Sequence, residues 1–166
     1  MIDRRILLAS VAGLFGFAAF RWLKGTTAQA AEKFEIEKTE AEWRAQLTSQ
    51  QYEILRKEGT ERPGSSPLLN EHRKGTFACA GCDLPLFASD TKFESGTGWP
   101  SFYQPIENNV GKTEDRSYGI VRTEVHCRRC GGHLGHVFDD GPKPTGLRYC
   151  IDGFALVFHP AAASAT

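Results

Sequence analysis

Met1 is the only methionine in the sequence. A chain otherwise free of thioethers suits a setting in which methionine is oxidised. Missing too is an apolar run long enough for a confident membrane span. The longest, residues 6–20, covers 15 residues and is rich in Gly and Ala, whereas a spanning helix needs about 20. There is no internal repeat and no low-complexity tract, which removes repeat architectures. No helix-length periodic segment separates the strand-like stretches after Gly75, which excludes a βαβ protein. Neither sign of charge is in excess, with 20 basic and 20 acidic side chains. Without residues 1–30 the chain loses Arg4, Arg5, Arg21 and Lys24 but only Asp3, so the remainder is acidic by three charges. That is the wrong sign for a nucleic-acid footprint.

Residues 1–30 read as an export signal. Asp3-Arg4-Arg5 is a charged start, the apolar run follows, and Ala28-Gln29-Ala30 offers a small-residue cleavage site. The adjacent arginines resemble a twin-arginine signal, which exports folded proteins, although Asp3 stands where Ser or Thr commonly precedes the pair. The other reading is a retained N-terminal anchor with Arg21, Trp22 and Lys24 at the interface. Both place residues 31–166 in the periplasm, free or held at the inner membrane. That remainder, about 136 residues, is one domain with room for a modest core.

Its first part is helical. Thr39 and Glu42 form a capping-box pattern opening a helix through Leu47, and Thr48 with Gln51 opens a second that Gly59 stops. Residues 61–73 are loop, rich in Pro, Gly, Ser and Asn. From Gly75 the pattern turns to short strands: 76–79, 84–87, 117–126, 133–138, and 147–158, the last rich in aromatic and β-branched residues. Ser95 to Phe102 is a glycine-punctuated loop. The fold class is mainly β and antiparallel, behind a short helical pair.

Five cysteines carry the chemistry. Cys79-x-x-Cys82 and Cys127-x-x-Cys130 are knuckles 44 residues apart, the usual way to hold one zinc by four thiolates. Export makes two knuckle disulfides the competing reading. A disulfide closing so small a loop contributes roughly 2 kcal/mol and joins neither knuckle to the other. A structural zinc contributes roughly 10–16 kcal/mol and ties both ends of the insert together. Gly81 and Gly131-Gly132 suit knuckle turns, and folding before export would load the metal in a reducing compartment. The balance favours one structural zinc per chain, with His126 a surface residue beside it.

Cys150 is left over, and a lone cysteine in an otherwise assigned set is a candidate nucleophile. In a strand Arg148, Cys150 and Asp152 share a face. Arg148 would favour the thiolate and Asp152 would oppose it. At an effective dielectric near 20, a charge about 4 Å away is worth ~4 kcal/mol, so the two can cancel unless Asp152 is turned away, protonated or paired with Arg148. A buried inert thiol is the other reading. His133 and His136, three apart, fit proton donors beside a thiol or plain surface histidines. Trp99 fits a pocket wall or simple packing.

The motifs Gly96-Thr-Gly-Trp-Pro-Ser-Phe102, Val121-Arg-Thr-Glu-Val125, Cys127-x-x-Cys-Gly131, His133-Leu-Gly-His-Val-Phe-Asp-Asp-Gly141 and Pro144-Thr-Gly-Leu-Arg-Tyr-Cys150 together resemble the B-type peptide-methionine (R)-S-oxide reductases, from about Glu37 to Pro160. The resemblance implies two antiparallel sheets, a β-tent, with a four-cysteine zinc site. It implies Cys150 as nucleophile, His136 and His133 as proton donors, and Arg148 beside the thiolate. It puts Trp99, with Phe102 and Asp152, on the substrate, and Cys79, Cys82, Cys127 and Cys130 on zinc. The implied partners are oxidised proteins or peptides and a thioredoxin-like or other thiol reductant, with a monomer as the expected state. Two departures stand out. Thr97 occupies the place where many relatives carry a resolving cysteine, and Asp152-Gly153-Phe154 replaces the usual Asn followed by small residues. Two alternatives remain: a non-catalytic zinc-knuckle module that binds a protein partner, and a second metal held by His133, His136 and Cys150.

Overall fold

The computed structural model describes residues 33–162. The export signal or anchor read in residues 1–30 lies outside them. Helices α1 (Glu40–Gln46) and α2 (Ser49–Lys57) start at reciprocal capping boxes, Thr39 with Glu42 and Thr48 with Gln51. The stop of α2 falls one residue before the expected glycine. Glu58 takes the left-handed conformation at φ 54°, and the Glu58 and Gly59 amides both donate to the Glu53 carbonyl. Gly59 is required for a different reason: a Cβ there would lie 2.8 Å from that carbonyl oxygen.

Among the described residues nine strands follow: β1 (Gly75–Cys79), β2 (Pro85–Ala88), β3 (Lys92–Phe93), β4 (Ser101–Phe102), β5 (Val110–Asp115), β6 (Arg122–Cys127), β7 (His133–Phe138), β8 (Arg148–Ile151) and β9 (Leu156–Pro160). They form two antiparallel sheets, a three-stranded one ordered β2-β1-β9 and a six-stranded one ordered β3-β4-β8-β7-β6-β5. The mainly β, two-sheet architecture is the expected one. Among the described residues no helix is long and apolar enough to cross a membrane.

Local expectations change at several points, and the loop expected from Ser95 to Phe102 ends in strand β4. The strand expected over 117–126 begins only at Arg122, because residues 117–119 form a tight turn. Strand β5 is an addition, since its sequence Val-Gly-Lys-Thr-Glu-Asp is a half-exposed edge with no apolar alternation. The single strand expected over 147–158 is two strands in different sheets. Gly153–Ala155 makes a helical turn between them, and a Cβ on Gly153 would sit 2.0 Å from Ser66 Oγ. One chain segment therefore stitches the sheets together directly after Cys150.

The core joins the two sheets. Phe87 of the small sheet stacks on Phe102 of the large one with centroids 4.4 Å apart, and Phe77 meets Phe102 edge-on at 5.0 Å. Phe102 is fully buried there. The β4–β8 register sets Phe102 opposite Tyr149 and Ser101 opposite Cys150, so Phe102 faces away from the sulfur. Its assignment to the substrate side is corrected: it is a core residue. Burying such a ring contributes roughly 2–3 kcal/mol.

Candidate active site and metal centre

Residues directly opposite in an antiparallel pair share a face, as do residues two apart in one strand. The register of the large sheet therefore assembles two rows. The first runs Cys150, His136, Glu124, Thr113 across β8, β7, β6 and β5; in the second, Arg148 faces Phe138 and Arg122 faces Asp115. Sequence neighbours do not make this site; strand pairing does. A cleft of about 150 Å3 opens over it, lined by Thr60, Trp99, Arg122, Gly135, His136, Phe138, Cys150 and Asp152. Gly135, at φ +142°, is the residue that permits the close pairing. A Cβ there would lie 2.2 Å from the Cys150 carbonyl oxygen.

Cys150 is partly buried, and burial raises its pKa above the ordinary thiol value. Thr97 Oγ1, 3.9 Å from the sulfur, and the Arg148 guanidinium pull it down, and Asp152 pushes it up. Arg148 does not spend its charge on the sulfur alone. Its Nε and Nη2 donate to both Asp140 oxygens at 2.9 and 2.8 Å, and its guanidinium lies 4.5 Å from the Phe138 ring centroid. Asp152 is buried and unpaired with Arg148; its Oδ1 accepts the Glu61 amide at 2.8 Å. Burial pushes its pKa up to about 7, a rise the Glu61 amide opposes and the Glu61 carboxylate reinforces. At neutral pH the resting site thus favours a thiol beside an acid that burial keeps from full ionisation.

Each histidine is gripped by a carboxylate. His136 Nε2 is 2.9 Å from Asp115 Oδ2, and His133 Nδ1 is 2.7 Å from Glu124 Oε1. Burial lowers the His136 pKa despite Asp115, so the ring is neutral near pH 7. A neutral ring facing a carboxylate carries its proton on the facing nitrogen, which leaves Nδ1 as the acceptor. Asp115 itself is held well below the usual carboxylate range, first by the Ser117 hydroxyl and amide and then by His136. The His133 ring is buried, and among the described residues its Nε2 has no hydrogen-bond partner. The two ring centroids stand 5.5 Å apart. Trp99 lines the cleft, with Nε1 donating to the Glu61 carbonyl at 3.3 Å.

The knuckle sulfurs meet elsewhere. Cys79, Cys82, Cys127 and Cys130 place their sulfurs within 4.8 Å of one another, and none lines the cleft. Cys79 Sγ is 3.7 Å from Cys130, and Cys82 Sγ is 3.5 Å from Cys127. Disulfide sulfurs would lie about 2.0 Å apart, so no pair is bonded. Tetrahedral bonds of ~2.3 Å to one cation put sulfurs about 3.8 Å apart, which fits the observed set. The four cysteines form a site able to hold a structural metal ion. The helices brace it: Gln46 Nε2 donates to the Gly81 carbonyl at 2.7 Å and Arg56 Nη1 to the Cys130 carbonyl at 3.0 Å. His126 lies outside this group and is buried rather than on the surface, edge-on to Phe34 at 5.7 Å.

The structure thus gathers Cys150, His136, Trp99 and Asp152 in one cleft, with Arg148 beside the sulfur and His133 beside His136. The carboxylates Asp115, Glu124 and Asp140, and Glu61 behind the cleft, were not singled out from the sequence. Glu124 and Asp140 sit inside the quoted motifs, but nothing local in the sequence pairs them with a histidine or arginine.

Asp152 supplies a test. Folded, it holds its proton to about pH 7, against 3.8 ordinarily. Between those values the folded chain keeps a proton that the unfolded chain has released, so stability falls as pH rises through the window. Asp152→Asn should leave Tm little changed near pH 4 and raise it above wild type at pH 8. It should also lower the Cys150 pKa in a thiol-alkylation titration; an unchanged titration would show the two groups to be uncoupled.

Comparison with known proteins agrees with this geometry. The SelR domain family matches residues 47–160. A protein of Agrobacterium fabrum named peptide methionine sulfoxide reductase MsrB is 56% identical over 127 residues, 76% of this chain and 94% of its own length. Proteins of the same name from Pseudomonas putida and Methanosarcina mazei are each 57% identical, over 76% and 75% of this chain and 96% and 89% of their own lengths. With its cleft cysteine, its carboxylate-held histidines and its four-sulfur knuckle site in place, the chain belongs to the SelR, or MsrB, family of peptide methionine sulfoxide reductases.

Proposed function

We propose that this protein reduces methionine (R)-sulfoxide, in proteins or peptides, to methionine, with Cys150 as nucleophile. The observation that carries the reading is Cys150 facing a carboxylate-anchored His136 across β7–β8, in a cleft that Trp99 also lines. The burial-raised thiol passes its proton to His136 as its sulfur attacks the sulfoxide sulfur. The proton goes on to the sulfoxide oxygen, with the Glu124-held His133 supporting His136 from beside it. The sulfur–sulfur bond made in the attack breaks again as the protonated oxygen passes to Cys150, so the S–O bond to methionine is lost and an S–O bond to Cys150 is gained. Methionine sulfur gains two electrons and Cys150 loses them, ending as a sulfenic acid. Arg148 stabilises the thiolate as the thiol proton leaves. Trp99 packs the substrate's methyl group, so only one epimer turns its oxygen toward the histidines; that is the physical rationale for R selectivity. Cys150→Ser should abolish turnover of the R-sulfoxide while the S-sulfoxide remains inert in both forms; full retained activity in the serine variant would end the proposal.

Regeneration needs two thiols from outside. Zinc is the proposed occupant of Cys79, Cys82, Cys127 and Cys130, where it braces the scaffold and takes no part in the reaction. No other cysteine then remains, and the position 3.9 Å from the Cys150 sulfur is Thr97. An external thiol, thioredoxin-like or glutathione-like, takes the sulfenic oxygen off as water and leaves as a disulfide. Thr97→Cys should convert the mechanism: one equivalent of sulfoxide would consume two thiols and leave an internal disulfide, seen by thiol counting and mass. Two thiols lost in the wild type would contradict direct regeneration. Metal analysis should find one zinc per chain. Its removal by a chelator should cost several kcal/mol of stability, read as a drop in Tm, and a chelator-indifferent Tm would remove zinc from the scaffold. The proposed place of work is the periplasm, supported by the pattern of residues 1–30. Fractionation with N-terminal sequencing tests it, and a cytoplasmic protein beginning at Ile2 would contradict it.

A further inference from the structure

Glu61 lies behind the cleft without lining it, and only 5% of it is exposed. Burying a carboxylate is costly unless its oxygens are satisfied. Here Oε1 accepts the Gly153 amide at 2.9 Å and Oε2 accepts the Phe154 amide at 3.0 Å. Its main chain is engaged as well. The Glu61 amide donates to Asp152 Oδ1 at 2.8 Å, and the Glu61 carbonyl accepts from Trp99 Nε1 at 3.3 Å. Four hydrogen bonds from one residue thus reach the indole on one side of the cleft and the three residues Asp152, Gly153 and Phe154 just past Cys150 on the other. Gly153 has no slack, since Ser66 Oγ occupies the space a Cβ would need.

We propose that Glu61 is a positioning residue that sets the gap between the Trp99 indole and the Cys150 sulfur, and through that gap restricts the substituent on the substrate sulfur to methyl size. The proposal rests on the sulfoxide-reductase reading of the cleft and adds the basis of its size selection. The carboxylate clamps the turn after β8. The clamp fixes the Glu61 main chain, and that main chain holds Trp99. A glutamine in its place keeps one acceptor oxygen but turns an NH2 donor toward the other amide, so one of the two clamp bonds is lost. An aspartate keeps the charge but is one methylene too short to reach both amides. Either change frees the turn and lets the indole recede.

The test compares kcat and KM for methionine (R)-sulfoxide and its S-ethyl homologue ethionine sulfoxide, with a generic dithiol as reductant. One methylene in a snug apolar site discriminates by roughly 10–200-fold, so the wild type should favour the methyl substrate by a factor in that range. Glu61→Gln should raise KM for the methyl sulfoxide about tenfold with a smaller change in kcat, and bring the methyl-to-ethyl ratio of kcat/KM to within a few-fold of one. Glu61→Asp should move both quantities in the same direction, and it serves in place of the glutamine variant should that one not fold. If both substrates lose kcat/KM by the same factor, Glu61 is merely structural and the proposal falls. If the wild type reduces the methyl sulfoxide but treats the ethyl one equally, the size filter is absent. If the wild type reduces neither, it is the underlying reading of the cleft that fails.

Discussion

The pairing of β7 with β8 is the constraint on which the chemistry depends. It sets His136 opposite Cys150 and Phe138 opposite Arg148. A slip of one residue would turn every one of these side chains to the other face. The pairing is close because Gly135 has no side chain to strike the Cys150 carbonyl. It is held from behind by the aromatic core, where Phe87, Phe102 and Tyr149 bind the two sheets together. Core packing thus fixes a register, the register fixes a row of polar side chains, and the row is the proposed reactive site.

The charged groups around that row hold one another, and Asp115 grips Arg122 as well as His136. Asp140 holds Arg148, Asp115 holds His136 and Glu124 holds His133. Each pairing spends part of a charge on orientation rather than on the sulfur. The net effect on Cys150 is a thiol whose pKa is raised by burial despite a nearby guanidinium. In the proposed mechanism such a thiol reacts only when a base takes its proton, which would couple attack to a neutral His136 whose remaining nitrogen is an acceptor. Asp152 adds a pH-sensitive element from the other side. The structural demands on the knuckles are met separately, by four sulfurs and two capped helices that contribute nothing to the cleft.

Much of this was legible in the sequence because its signals are local. Capping boxes span four residues, and both are present as read. The knuckle cysteines announce a cluster by spacing, and their sulfurs converge. Cys150, His136 and Trp99 were drawn out by motif. What stayed hidden is non-local. Strand β5 carries no apolar alternation, so Asp115 could not be seen as the partner of His136. The break at Gly153 depends on Ser66, 87 positions earlier. The inward turn of Phe102 follows from a two-residue strand whose partner lies far along the chain. Glu61 shows only as one acid in a polar loop until the fold brings it against Asp152 and Trp99.

Separated R and S methionine sulfoxides, each offered once to the fully reduced protein without reductant, give the most direct measurement of the central claim. Intact-mass and peptide analysis of residue 150 would follow. The account predicts that the R form alone yields one methionine per chain and adds one oxygen atom to Cys150, with the four knuckle cysteines unmodified. Methionine formed from the R-sulfoxide while Cys150 keeps its original mass and its free thiol would contradict it.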